Sequence, residues 1–296
     1  MNNMWLEGSI TALITPMKKD GSLDISAFEK FVDWQIQEGT SALVPVGTTG
    51  ECPTLSHEEH KLIVEVTVKV ASGRVPVLAG AGSNSTAEAI EMAIFAKQVG
   101  AAGALVVTPY YNKPTQEGLF QHFTAIANAA ELPIYIYNIP GRSIVDMSVE
   151  TTARLAENPY IIGIKDATAN LMRPIQIRRA VKKRFNQLSG EDGTAIAYMA
   201  AGGEGCISVT SNIAPRLCAE MQRSWKDGRI ADAIAIQDRL TPLHDALFCE
   251  SSPGPVKFAA SVLGLAEETC RLPLVPIAAS SRQKVKAALE EVGLLE

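Results

Sequence analysis

The sequence predicts an α/β protein, a (β/α)8 TIM barrel with helices appended toward its C-terminal end. Three observations carry that expectation. Short apolar, β-branched runs alternate with longer amphipathic segments, a pattern that requires parallel strands joined by right-handed crossovers. Eight such runs occur before residue 210. The chain has 296 residues, and one barrel of this class takes ~250. Periodicity does not show closure, so an open doubly wound sheet stays as the alternative.

The expected strands are residues 8–15, 42–46, 75–79, 103–108, 134–138, 161–165, 187–189 and 205–209. Amphipathic helices are expected at 25–38, 57–71, 86–99 and 117–130, among others. Helix starts are well marked. Ser56 followed three residues later by Glu59 is a capping-box pattern, and Ser85 with Glu88 and Ser148 with Glu150 look similar. Beyond about Trp225 only helical patterns remain, at 230–248, 255–263 and 281–292. The expected organisation is therefore a barrel at 1–224 and a helical region at 225–296 packed on it, with no low-complexity linker between them.

Composition excludes several classes. An apolar fraction of 47% is ample for a packed core. Lys+Arg 27 against Asp+Glu 32 gives a net charge of -5, which argues against a nucleic-acid footprint. The longest stretch free of charged side chains, Gln98 to Asn112, has 15 residues and contains Pro109, too short and too polar to span a bilayer. The start, Met1 to Glu7, lacks the basic and apolar regions of a signal peptide. Five cysteines without a CxxC pair read as reduced thiols of a cytoplasmic protein. His57 and His60 share a helical face, but no Cys or His joins them at ligand spacing, so no metal site is expected. A solvent-exposed or allosteric pair is the better reading of these two, and His122 and His244 read as core or surface fillers. The segment Gly80-Ala81-Gly82 lacks the third glycine of a dinucleotide fingerprint, and neither a phosphate-binding P-loop nor a GxSxG elbow occurs.

The informative residue is Lys165, at the end of the apolar run Ile161-Ile162-Gly163-Ile164. A buried ammonium costs free energy unless it is paired, neutralised or chemically employed. Taken alone, Lys165 reads first as a structural lysine paired with Asp166. Its company reverses that reading. In a barrel, catalytic groups sit at the C-terminal ends of the strands. Those ends carry Gly47-Thr48-Thr49-Gly50-Glu51, Tyr110-Tyr111, Tyr137 to Arg142 and Gly190-Glu191-Asp192. Thr48 and Thr49 can aim backbone N–H and hydroxyl donors at a carboxylate. Tyr137 can act as acid or base beside a Schiff base on Lys165. Arg142 can clamp a second carboxylate. Each alone is as ordinary as a turn glycine, a capping threonine or a half-buried tyrosine; their convergence on one expected face points to small-molecule carbonyl chemistry.

In their order and spacing, Gly47-Thr48-Thr49-Gly50-Glu51, Tyr110-Tyr111-Asn112-Lys113-Pro114, Tyr137-Asn138-Ile139-Pro140-Gly141-Arg142, Gly163-Ile164-Lys165-Asp166 and Gly190-Glu191-Asp192 resemble the pyruvate-dependent class I aldolase barrels. Within them the chain is most similar to the dihydrodipicolinate synthase family, from about Gly8 onward. The resemblance implies a lyase that condenses pyruvate with L-aspartate-4-semialdehyde, without metal or organic cofactor. It implies that Lys165 forms the imine, that Thr48 and Thr49 hold the pyruvate carboxylate, and that Tyr137 shuttles protons. It further implies that Thr49 links Tyr137 to Tyr111, which reaches in from a neighbouring subunit of a homotetramer. Arg142 would receive the semialdehyde carboxylate, and the backbone at Gly190 and Ile207 would line the pyruvate pocket. Members inhibited by lysine resemble this chain at His57, His60, Asn84, Glu88 and Tyr110; there Glu88 would meet the ligand ammonium, and His60 and Tyr110 its carboxylate. An exposed helix pair without a ligand is the plain alternative at that place. Two departures stand out: Gly141 where familiar members carry a serine, and Cys52-Pro53 in place of small residues. Sister aldolases acting on N-acetylneuraminate or keto-deoxy sugar acids share Lys165 and Tyr137, and a catalytically silent keto-acid sensor is the rival outside enzymes.

Overall fold

The computed structural model describes residues 4–295. Met1, Asn2 and Asn3, the beginning of the segment expected to lack signal-peptide character, and Glu296, the end of the expected helical region, lie outside the described residues. Among the described residues, eight strands alternate with helices. The strands are β1 Gly8–Ala12, β2 Ala42–Val44, β3 Leu78–Gly80, β4 Gly103–Val107, β5 Ile134–Asn138, β6 Ile161–Asp166, β7 Asn186–Ser189 and β8 Gly205–Ser208. They form one sheet in the order β2-β1-β8-β7-β6-β5-β4-β3. Parallel ladders join β1 with β2 and every neighbouring pair from β3 to β8. Between and after the strands run α1 Ile25–Gln37, α2 His57–Ala71, α3 Thr86–Gln98, α4 Gln116–Ala130, α5 Pro140–Ser143, α6 Val149–Ala156, α7 Arg173–Ala180, α8 Ala195–Ala200, α9 Pro215–Lys226, α10 Ile230–Ala246, α11 Gly254–Val262 and α12 Ala279–Glu291. This is the (β/α)8 arrangement with C-terminal helices that the sequence predicts. No described helix is long and apolar enough to cross a membrane.

The chain divides into two compact units. One holds the N-terminal residues up to Glu7 with Val77–Ile207. Its strands β4, β5 and β6 are buried almost throughout, as parallel strands covered by helices must be. A buried asparagine ties its beginning to its middle. Asn186 accepts from the Leu6 N–H at 3.0 Å and donates to the Leu6 carbonyl at 3.0 Å, and Tyr135 donates its hydroxyl to the same amide oxygen at 2.5 Å. Gly163 makes this possible: a Cβ there would lie 2.5 Å from the Tyr135 ring. Helix α3 starts at Ser85, whose hydroxyl accepts from Glu88 N–H, but the Glu88 carboxylate accepts from Ser83 instead of closing the box.

The other unit holds Gly8–Pro76 and the chain from Ser208 onward. Here the Ser56–Glu59 capping box forms reciprocally. Asn212 fastens β1: its side chain accepts from Ile14 N–H at 2.9 Å and donates to Ala12 O at 2.7 Å. This is why β1 ends at Ala12 rather than at Thr15. Leu43 of β2 donates to the carbonyl of Pro76 at 3.1 Å, two residues before β3. Helices α9, α10 and α12 pack in series, and α11 packs on α12.

Candidate active site

The register of β5 and β6 sets the site in the first unit. Ile134 pairs with Ile161, but Tyr135 pairs with Gly163, so Ile162 is an extra residue in β6. That bulge places Lys165 beside Tyr137 and Asp166 beside Asn138. Without the slip, Lys165 would stand beside Asn138, one residue out of phase and with its side chain matched to the wrong neighbour. With it, the Lys165 Nζ lies 4.1 Å from the centroid of the Tyr137 ring. Both side chains are buried, at 6% exposure each.

Asp166 does not pair with Lys165. It points the other way along the strand's alternation and is fully engaged. Arg173 Nε donates to it at 2.8 Å, and Thr168 donates through N–H at 2.9 Å and hydroxyl at 2.6 Å. Among the described residues no carboxylate lies within ion-pair distance of Lys165. The structural ion pair that the isolated motif suggests is thus an Asp166–Arg173 pair.

Glu191 feels the charge of Lys165. Burial raises its carboxyl above the usual range; Lys165 acts to lower it, and Asp192 and Asp166 to raise it. The sequence places Glu191 on the rim without giving it this part, and the only signal for it is its place in the Gly190-Glu191-Asp192 run. Gly190 is where a side chain cannot go: a Cβ would stand 2.7 Å from Ala167 Cβ and 3.1 Å from Lys165 Cε. Ile207 is buried in β8. Arg142 is exposed in the single turn α5, which Ile144 ends in the left-handed conformation. A Cβ at Gly141 would meet nothing within 4 Å, so the glycine is not sterically required. Tyr111 is 91% exposed at φ 70, while Tyr110 is 38% exposed. Asn84 accepts at its carbonyl from the Asn112 side chain at 2.8 Å, and Glu88 is exposed.

In the second unit, Thr49 is buried and Thr48 half-buried in the turn after β2. The turn closes on itself: Gly50 N–H and Cys52 N–H donate to Gly47 O at 3.1 and 3.3 Å, and Glu51 N–H donates to Thr48 O at 3.1 Å. Cys52 and Pro53 form a 3-10 turn, and burial pushes the Cys52 thiol up to about 12. His57 is exposed at the first turn of α2, whereas His60 is buried. His122 and His244 are buried core residues, bonded to Thr86 at 2.9 Å and Thr210 at 2.8 Å.

Residues 5–292 match the model of the dihydrodipicolinate synthetase family. The chain belongs to that family. It is 69% identical, over the whole of both chains, to a 4-hydroxy-tetrahydrodipicolinate synthase of Gluconacetobacter diazotrophicus. Among solved structures it is similar to a chloride-inhibited dihydrodipicolinate synthase of Acinetobacter baumannii complexed with pyruvate, at 48% identity and TM-score 0.95, covering 98% of this chain and 99% of that one. It is likewise similar to the enzyme of Cyanidioschyzon merolae with lysine bound, at 40% identity and TM-score 0.95, covering 98% and 99%.

Proposed function

We propose that this chain is a lyase that condenses pyruvate with L-aspartate-4-semialdehyde to 4-hydroxy-tetrahydrodipicolinate, the step that opens the lysine and diaminopimelate branch. The observation that carries the reading is Lys165 itself, buried against Tyr137 at 4.1 Å while Asp166 is held by Arg173. Such an amine can attack the pyruvate ketone. The keto oxygen leaves as water and an imine forms. The protonated imine withdraws electrons, so the methyl carbon loses a proton and becomes an enamine. The enamine carbon bonds to the aldehyde carbon of the second substrate; the product cyclises and leaves, returning the free lysine. Lysine serves as the electron sink, and the chemistry calls on no metal or organic cofactor.

In this reading Tyr137 carries protons between substrate and bulk, Thr48 and Thr49 offer donors to the pyruvate carboxylate, and Arg142 receives the semialdehyde carboxylate. Gly190 and Ile207 line the pyruvate pocket. Self-association follows from Tyr111: a tyrosine 91% exposed at a left-handed φ is suited to insertion into another copy, where Thr49 would link it to Tyr137. We take the assembly to be a homotetramer, working in the cytoplasm. Lysine would act as feedback inhibitor at His57, His60, Asn84, Glu88 and Tyr110, consistent with the lysine bound to the related Cyanidioschyzon merolae enzyme.

The test is borohydride reduction in the presence of pyruvate, followed by peptide mapping, beside assays of semialdehyde condensation and of sialic acid cleavage. A pyruvate-mass adduct on Lys165 together with condensation is expected. Absence of the adduct, or cleavage without condensation, would sink the assignment.

A further inference from the structure

The second unit contains a buried charge network that the proposed chemistry does not use. Lys257 of α11 is 0% exposed and Glu51 is 2% exposed. Lys257 Nζ donates to Glu51 Oε1 at 2.5 Å and to the Thr15 carbonyl at 3.0 Å. The backbone N–H of Arg271 donates to Glu51 Oε2 at 3.0 Å. The Arg271 guanidinium grips both oxygens of Glu59 and donates to the carbonyls of Thr54 at 2.8 Å and Gly21 at 2.9 Å. Thr15 closes the circuit by donating its hydroxyl to Gly50 O at 2.8 Å.

Glu51 directly follows the Gly47-Thr48-Thr49-Gly50 turn. It sits at φ 57, and Val46, the residue before the turn, sits at φ 48. Neither residue type adopts that conformation readily, least of all a β-branched one. Such backbone persists only where the surroundings over-determine it. The network does this at one end, through both oxygens of Glu51 and through the Gly50 carbonyl. At the other, Gly50 is fitted closely: a Cβ would lie 3.0 Å from the Val46 backbone and 3.2 Å from Leu13 O. A buried ion pair gives little net stability over a well-packed apolar pair. What it gives is a fixed position for each atom it holds.

We propose that Glu51 is a positioning residue, locked by Lys257 and Arg271 of the C-terminal region, that holds the donors of Thr48 and Thr49 in the geometry needed to bind a 2-keto acid carboxylate. The proposal rests on the reading of that turn as the carboxylate cradle. It gives the helices after β8 a part in substrate affinity and not in stability alone.

The experiment uses the full-length chain carrying Glu51→Gln, Lys257→Met, or both. Circular dichroism and a urea midpoint establish which variants are folded. Borohydride trapping is then titrated with pyruvate, and KM is measured separately for pyruvate and for the semialdehyde. In folded variants the pyruvate concentration for half-maximal trapping is expected to rise ~10-fold, as for small misplacements of a binding group. The semialdehyde KM stays within about twofold on the same grounds. The double variant is expected to be no worse than the worse single one, because both changes break one lock. If Lys257→Met does not fold, Glu51→Gln, which keeps the side-chain shape, decides. Unchanged pyruvate dependence in a folded variant overturns the positioning role, as does an equal rise in both KM values or a fall in kcat alone. A wild-type chain that traps no pyruvate at all overturns the functional reading as well, so the two failures are told apart.

Discussion

Lys165 and Lys257 are both taken out of water, and the chain treats them in opposite ways. Lys257 is surrounded by acceptors: a carboxylate oxygen at 2.5 Å and a carbonyl at 3.0 Å. Lys165 has a ring face at 4.1 Å and, among the described residues, no carboxylate within ion-pair reach; the carboxylate next to it in sequence pairs with Arg173. Satisfied, a buried amine is structure. Set against a ring face, it is the amine that the proposed function gives to the substrate carbonyl. The difference is made by neighbours, since the two side chains are chemically the same.

The comparison breaks first at Lys165. Lys165→Met should lower condensation activity by at least ~10⁴-fold, the scale on which removal of a covalent nucleophile is felt. It should leave the unfolding free energy unchanged or raised by about 1 kcal/mol, since its removal strands no carboxylate. A coupled assay and urea denaturation check both; a large loss of stability would mean that Lys165 is structural after all. Lys257→Met should weigh mainly on stability, costing about 3–5 kcal/mol through the stranded Glu51 carboxylate. Urea midpoints read this, and a loss below that of an ordinary surface change would show that Glu51 finds another partner.

His122 sharpens the comparison with a buried base that bonds only to the neutral Thr86 hydroxyl. Burial lowers it from 6.5 to about 4. Its folded value lies below its unfolded one, so its contribution is fully present above pH 6.5 and is lost as pH falls toward about 4. That loss is on the order of 3 kcal/mol. His122→Gln should flatten this acid limb of stability, measured by urea midpoints across the same pH window; an unchanged limb would assign it to other groups. The smallest effect is expected at Gly190→Ala. The added carbon would press on Ala167 and on Lys165 Cε, at about 1–2 kcal/mol in stability and roughly tenfold in the rate of pyruvate trapping. An unaltered trapping rate would show that the lysine has room to yield.

Much of this was legible in the chain. The strand expected at 134–138 matches β5 residue for residue, and the helix expected at 57–71 after the Ser56–Glu59 capping box matches α2. Strand ends were harder. At residue 75 the expected strand starts too early, because Pro76 cannot donate to a ladder and β3 begins at Leu78. The polar helix α7 has too few apolar positions for a period to show, and α8, six residues and apolar throughout, is too short and too uniform to show one. The motif residues of the site were visible, because chemistry restricts residue type. Their alignment was not. It depends on Ile162 slipping out of the ladder, and an apolar residue in an apolar run announces no such slip. Nor could the Lys257–Glu51 contact be read, since its partners are 206 residues apart.

Gly163 and Gly190 carry no reactive atom, yet each marks a volume already filled, one by the Tyr135 ring and the other by Ala167 and the stem of Lys165. In a saturation scan for growth without added lysine, both rows should be nearly as blank as that of Lys165 itself. Intolerance in such a map would therefore trace the mould around the amine as well as the amine, and only the chemical trap would tell the casting from the mould.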